Sequence, residues 1–565
     1  MPLKKSFLLI FICIQLTLYA QVNYPKDYFG LPLDIPLLLS GTFGELRDNH
    51  LHSGIDFKTQ KREGFPVYAT ADGYVSRIRV ALYGFGKVVY INHPNGYTTV
   101  YAHLQKFAPS IEQYVKAEHY KKKDYEVHLF PKASEFAVKK GDLIGFTGST
   151  GGFVDPHLHY EIRDTRTEKP INPMHFGLDI KDTINPIIKE VIVYPLTKDT
   201  QISHANFPYH LCLKKTKNGS LETEKIAVSG EIGIGINAYD LLNGSNNENG
   251  IYSLELYVNG QLYHQQKFDL FSFDETKYLN LLIDYEHYAT TNKRIHKAFI
   301  DLNNPLSVIN SLYPGNISIQ AGFTYKIEVI ATDFKGNATK VTVPIEGKHD
   351  EIKQFKPQFT SDYFIKAAEF QRFTLQNVTV AFPKNTFYAD TFIQFEVSKD
   401  KAIVHQPILP LDKNYTLTFD VSHLNAVEKQ QSFIGYINKK NKIEYENTTK
   451  KENIFFTNTK SLGTFMLLKD SIPPTISLHN IKPSQWVSKL AVLEVMIEDD
   501  LSGIDTYTAE INGNWILMEY NLKRKMLTFD FSDVSLKGHQ HHLKISVADK
   551  VGNTNLIETT FYRIE

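Results

Sequence analysis

Three observations predict a mainly β protein. Phe and Tyr number 37 and 32 against 6 Met in 565 residues, and aromatic side chains of this kind suit a pleated, half-buried surface. Short runs alternating apolar and polar residues recur along the chain, bounded by turn residues such as His93-Pro94-Asn95-Gly96. Two distant stretches also repeat the same order of strand and turn signals, as small β modules do. At roughly 150 residues per domain the length allows about four such units.

The first unit is preceded by a leader. Lys4 and Lys5 are followed by an apolar run from Phe7 to Ile14 and by Leu18-Tyr19-Ala20, so residues 1–20 read as a secretory signal peptide. The run is short for a helix that must cross about 30 Å of hydrocarbon, and a membrane anchor is disfavoured. Removal of the leader takes away Lys4, Lys5 and Cys13, lowers the formal charge from 0 to −2 and leaves Cys212 alone, so no intrachain disulfide can form. No other long apolar run follows, and no stable membrane insertion is expected after cleavage. With 62 basic and 62 acidic residues, no overall field favours nucleic acid.

Residues 21–180 form the first predicted domain. Gly86 to Asn92 and Tyr97 to His103 flank the turn at 93–96 and read as a hairpin, whose alternation puts Tyr97, Thr99, Tyr101 and His103 on one face. Residues 105–138 have a different, charged texture and read as an inserted helix and loop with a solvated face. Beyond 180, Lys181-Asp182-Thr183-Ile184-Asn185-Pro186 matches Lys469-Asp470-Ser471-Ile472-Pro473-Pro474. Asp333-Phe334-Lys335-Gly336-Asn337 likewise matches Asp549-Lys550-Val551-Gly552-Asn553. Residues 181–348 and 471–565 are therefore predicted as two β-sandwich modules resembling immunoglobulin-like domains of bacterial surface proteins, with a β-rich module of different design at 349–470. His539, His541 and His542 have no carboxylate or Cys placed to close a metal site, and read as an exposed hairpin tip.

The chemistry lies in two motifs of the first domain. His52-Ser53-Gly54-Ile55-Asp56 and His157-Leu158-His159 offer imidazoles and a carboxylate at spacings that suit a zinc ion. In extended chain His52, Gly54 and Asp56 point one way, Gly54 leaving space between the polar side chains, and His157 and His159 share a face likewise. Two imidazoles, one carboxylate and a water make a catalytic zinc site, whereas structural sites are closed by four protein ligands. The motifs thus point to a metallohydrolase. Glu161 and Arg163 continue the face of His159; an exposed cross-strand ion pair is the preferred reading over a carboxylate that supports a ligand imidazole.

Together with Val67-Tyr68-Ala69-Thr70-Ala71-Asp72-Gly73, Tyr83-Gly84, Tyr101-Ala102-His103 and Gly148-Ser149-Thr150-Gly151, these motifs resemble the lysostaphin-type, or LytM-like, zinc endopeptidases that cut peptide bridges in bacterial cell wall. The likeness covers about residues 40–175. It implies an antiparallel LytM-like fold, one zinc ion held by His52, Asp56 and His159, and two catalytic histidines, His103 and His157, that move protons and steady an oxyanion. Tyr83 aligns with a family tyrosine that stabilises the transition state. No HExxH helix supplies a glutamate base, which agrees with histidine in that role.

The implied protein is an exported, periplasmic or cell-surface zinc metallo-endopeptidase acting on peptidoglycan peptides. One alternative is a noncatalytic LytM-like protein that binds the wall or activates another hydrolase; a second is an adhesion or scaffold protein in which the β modules do the main work. Oligomeric state is not set by the sequence. A chain cut near residue 180 is expected to keep catalysis and lose targeting or efficiency.

Overall fold

A computed structural model of the chain describes residues 23–152, 155–217, 219–302, 304–311 and 313–564; the expected signal peptide at 1–20 lies outside them. The fold is mainly β. In the first unit β1 (Leu39–Gly41), β2 (Ile55–Lys58), β3 (Gly73–Val80), β4 (Lys87–Asn92), β5 (Tyr97–Phe107), β6 (Leu143–Thr147) and β7 (His157–Asp164) belong to one sheet, with the order β1-β2-β7-β5-β4-β3 and β6 paired to β5. The β4–β5 hairpin turns at 93–96, where Gly96 has a φ of 84°. One face of this sheet carries Phe57, Tyr101, Tyr160 and Ile162 into the core.

Between β5 and β6 the expected insertion is a helix, α1 (Pro109–Lys122), followed by Val127–Leu129 paired onto β3. Pro109 stands in its first turn, where a missing N–H costs nothing, and Lys123 ends it in the left-handed conformation. Ile111, Val115 and His119 recur at one helical face and are its buried residues.

In the second unit β8 (Ile187–Pro195), β9 (Ile226–Tyr239), β10 (Ser253–Val258), β11 (Thr324–Thr332) and β12 (Ala338–Gly347) build a larger sheet, ordered β10-β11-β12-β9 with β8 also on β9. Its core includes Ile234, Ile236, Leu256, Val329 and Val343. The excursion between β10 and β11 does not stay there. Phe268, Phe271, Leu279, Leu282 and Val308, with Leu242 from the loop between β9 and β10, pack into the same hydrophobic cluster as Phe57 and Tyr160 of the first unit.

Two five-stranded sheets follow and close over Val380, Leu417, Phe419, Val404 and Phe465. Two four-stranded sheets close over Val495, Ile511, Leu527 and Ile545 in the last unit, which includes β13 (Val492–Glu498), β14 (Ile504–Ile511) and β15 (Gln540–Asp549). The histidines at 539–542 are not a hairpin tip as a group. Gln540–Asp549 is an inner strand, and alternation sends the fully buried His541 inward, where it meets the Phe561 ring at 5.3 Å.

The last unit returns to the first. Lys87 is buried and its Nζ lies 2.8 Å from Glu519, Lys116 pairs with Asp533, Lys523 lies 2.6 Å from Asp155, and Tyr120 meets Trp515 edge-on at 5.3 Å. Among the described residues no helix is long and apolar enough to cross a membrane.

Candidate metal centre

β2 and β7 are antiparallel neighbours with Asp56 directly opposite His159, and β5 flanks β7 with Ala102 opposite His159. This register brings two motifs a hundred residues apart onto one face, opposite the core face of Leu158 and Tyr160. His52 sits just before β2 in irregular chain, where its N–H reaches the Glu45 carbonyl at 2.9 Å. The approach needs Gly54. A Cβ there would stand 2.4 Å from the Tyr160 carbonyl oxygen and 3.0 Å from the His159 ring. The space that the sequence assigned between His52 and Asp56 is thus taken up by β7.

His52 Nε2, Asp56 Oδ1 and His159 Nδ1 converge, with separations of 3.1 Å, 3.1 Å and 2.9 Å. The outward nitrogens fix which atoms face inward. His52 Nδ1 lies 2.7 Å from the Thr42 carbonyl, which can only accept, and His159 Nε2 lies 2.8 Å from the Glu161 carboxylate. Each imidazole therefore turns a lone pair toward Asp56. Ligands at 2.0–2.1 Å around tetrahedral zinc stand about 3.3 Å apart, so this donor set fits the ion in chemistry and in size. The pocket also favours positive charge at this point. Burial opposes protonation of His159, but Asp56 and Glu161 raise its pKa to about 9, and burial of Asp56 is outweighed by His52 and His159, which hold it well below the usual carboxylate range.

His103 reaches the same face by an irregular route. Strict alternation would send it into the core beside Tyr101, contrary to the arrangement needed here. The β4–β5 register shifts between Lys87 and Val89, and His103 takes a φ of 59°, a bulge that turns its ring to the metal face. The expected sharing of one face by Tyr101 and His103 is therefore corrected: Tyr101 is fully buried in the core and His103 stands 4.6 Å from the His157 ring. His103 Nδ1 donates to the Thr150 carbonyl at 2.8 Å and His157 Nδ1 to the Asp155 carbonyl at 2.7 Å, leaving Nε2 of each for exchange. His157 Nε2 lies 3.6 Å from Asp56 Oδ1. Burial, with the neighbouring His157 and His159, pushes His103 down to about 3, and burial also lowers His157.

Tyr83 is 62% exposed and lines a cavity with Asp505, Thr506 and Tyr507 of the last unit. The ring that touches the site is Phe85, 5.1 Å from His159.

Glu161 is fully buried, so the expected exposed ion pair is also corrected. Besides His159 it accepts from Ser53 Oγ at 2.5 Å and Arg163 Nε at 2.5 Å; Arg163 and His159 outweigh burial and hold its pKa at about 2. Arg47, which the sequence did not single out, donates to Asp56 Oδ2 at 2.7 Å and leaves Oδ1 for the centre. The only early signal for Arg47 was a charged residue in the loop before His52.

Comparison with known proteins places relatives against the first unit and the third. Residues 50–120 match the model described as Peptidase family M23, so the first unit carries an M23 peptidase domain, and residues 362–470 match a Zu5-like domain. A DD-carboxypeptidase/endopeptidase of Neisseria meningitidis serogroup B, Mpg, is 36% identical over 165 residues, 29% of this chain and 29% of its own length. The peptidoglycan DD-endopeptidase ShyA of Vibrio cholerae is 32% identical over 133 residues, 24% of each chain. This chain thus spans under a third of the length of these curated relatives. The catalytic domain of lysostaphin from Staphylococcus simulans aligns at 24% identity over 25% of this chain and 92% of that one, with a TM-score of 0.19.

Proposed function

We propose that this chain is an exported zinc endopeptidase that hydrolyses peptide cross-links of bacterial peptidoglycan. The reading rests on one observation: each of four imidazoles has one nitrogen committed to a carbonyl or carboxylate, and in two of them the other nitrogen faces Asp56 Oδ1 at about 3 Å. His52, Asp56 and His159 would hold the ion. When bound there, zinc supplies Lewis-acid polarisation of a scissile carbonyl and acidifies water.

The remaining work falls to the protein. Burial keeps His103 and His157 neutral near pH 7, so either Nε2 can take a proton from the attacking water and return it to the leaving amine. The carbonyls of Thr150 and Asp155 hold the two rings in the tautomer this needs. Phe85 covers one side of His159 and limits competing water there. Tyr83 is assigned to the rim, where it can meet substrate rather than the metal.

Substrate class is supported by the names of relatives such as ShyA, a peptidoglycan DD-endopeptidase, and by a cavity of about 270 Å³ beside Thr150. Glu63, Gln105 and Ser149 of the first unit line it together with Tyr520 and Arg524 of the last, which offers a peptide groups of both charge signs. The signal-peptide reading of 1–20 supports export.

Zinc-loaded protein is expected to release peptides from purified cell wall, with activity lost on chelation and in His52→Ala and His103→Ala. Unchanged activity in both variants would sink the assignment. Mass spectrometry of products from defined muropeptides identifies the bond.

A further inference from the structure

The two β modules that repeat each other also repeat a cluster of three carboxylates. In the second unit these are Asp182, just before β8, Asp240, just after β9, and Asp333, just after β11, with one oxygen of each within 4.8 Å of the others. In the last unit Asp470, Asp499 and Asp549 hold the matching places. Acidic clusters are common without a ligand, so the surroundings decide.

They differ between the copies. In the last unit the backbone satisfies the charge: Asp499 Oδ2 accepts from the Leu501 and Gly503 amides at 3.2 Å and 2.6 Å, and Asp470 Oδ2 accepts from Ser502 N–H at 3.0 Å. In the second unit Asp182 likewise accepts from the Ile184 amide at 3.0 Å, but Asp240 is 3% exposed and its Oδ1 has no hydrogen-bond partner. A buried carboxylate oxygen left unpaired is costly unless something cationic or acidic meets it. The charged groups acting most strongly on Asp240 are Asp182 and Asp333, both carboxylates, and with burial they raise its pKa to about 8. Asp240, Asp182 and Asp333 line a cavity of about 40 Å³. Asn337 holds Asp333 in place, its amide and side-chain nitrogens 2.9 Å and 2.6 Å from the two oxygens.

We propose that Asp182, Asp240 and Asp333 bind a calcium ion at the junction of the first and second units. All three donors are hard oxygens, which select calcium or magnesium over zinc. Calcium takes six to eight oxygens at about 2.3–2.6 Å in flexible geometry, so three carboxylate oxygens all within 4.8 Å of one another can share one ion. Magnesium demands near-octahedral geometry and gives up its waters reluctantly, so a buried corner of three carboxylates suits calcium better.

The position gives the ion a consequence. Thr42 and Phe43 of the first unit line the same cavity, the Thr42 hydroxyl donates to the Gly250 carbonyl at 3.2 Å, and the Thr42 carbonyl holds His52. The ion therefore ties the second unit to the segment that orients a proposed zinc ligand.

The test uses the full chain, loaded with zinc and stripped of calcium. Calcium is expected to raise the melting temperature saturably and to titrate calorimetrically to one site, with magnesium weaker. Asp240→Asn keeps the shape and removes the charge; it is expected to lose the thermal response and at least about tenfold in calcium affinity. Asp182→Asn, at the half-buried edge of the cluster, serves as a second variant should the first fold poorly, and Asp499→Asn is expected to respond as the parent does. No calcium response in the parent would overturn the proposal and leave a proton shared between Asp182 and Asp240. A response kept in both Asp240→Asn and Asp182→Asn, or lost in Asp499→Asn, would overturn it as well.

Discussion

His159 and Glu161 stand two residues apart on β7, and the 2.8 Å contact between Nε2 and Oε1 turns the other ring nitrogen toward Asp56. Ser53 Oγ donates to the same Oε1, and Arg163 Nε holds the other oxygen, Oε2. Glu161→Gln keeps the volume but removes the charge that fixes this tautomer. Zinc affinity is expected to fall about 10- to 100-fold, as for other carboxylates behind a ligand imidazole. A competition titration against a chelator measures the loss, and activity is expected to recover as zinc is raised.

His103 and Tyr83 are expected to separate. His103 occupies a left-handed bulge without contributing to the three-atom centre, so His103→Ala is predicted to retain zinc while activity falls by about 10²- to 10⁴-fold, the range of a lost acid–base group. Tyr83→Phe, at an exposed rim position, is expected to cost less than about tenfold. Metal content by atomic emission, measured beside the cleavage rate, distinguishes lost chemistry from lost metal.

Much of the centre was legible because its signals are local. His52, Asp56, His157 and His159 lie in two short motifs, and alternation along β7 puts the last two on one face, whereas the open space read at Gly54 is filled by β7. The path of His103 was not legible, since its bulge arises where β4, β5 and β6 compete for register. Arg47 and Phe85 are one-residue contributions whose partners are chosen only by the finished sheet. The two repeated aspartate sets could be read as matching turns, but the unpaired oxygen of Asp240 depends on how the chain at 241–249 lies, where the two copies differ.

Acid is expected to weaken the second unit first through His264 and His296, both buried and both lowered to about 4 by burial. The Gln266 amide donates to His264 Nε2 at 3.1 Å, so a proton there would set two donors against each other. The unfolded chain takes up protons near pH 6.5 that the folded chain refuses until about pH 4. Stability from these groups is therefore complete above that window and is lost as pH falls through it. The loss is on the order of 3 kcal/mol for each histidine. Urea unfolding at pH 7.5, 6 and 5 should show a steeper decline in the parent than in His264→Asn.

The continuous core reverses the expectation for a chain cut near residue 180. Phe268 and Phe271 are 1% and 0% exposed within the cluster that also holds Phe57 and Tyr160, and Leu279, Leu282 and Val308 join them. Gly44, with a φ of 74°, has Phe268 where a Cβ would stand, 2.7 Å away, so the loop leading to His52 is shaped against the second unit. Each large apolar side chain withdrawn from such a core costs roughly 1.5–3 kcal/mol, and several are lost together. Removal also exposes the surface they covered. Residues 21–180 alone are therefore predicted to be unstable or aggregated and to bind zinc poorly, whereas a chain ending near 348 keeps the core and a cooperative thermal transition. Calorimetry and zinc content of the two fragments decide, and a stable, active fragment ending at 180 would show that the shared core is dispensable to the site.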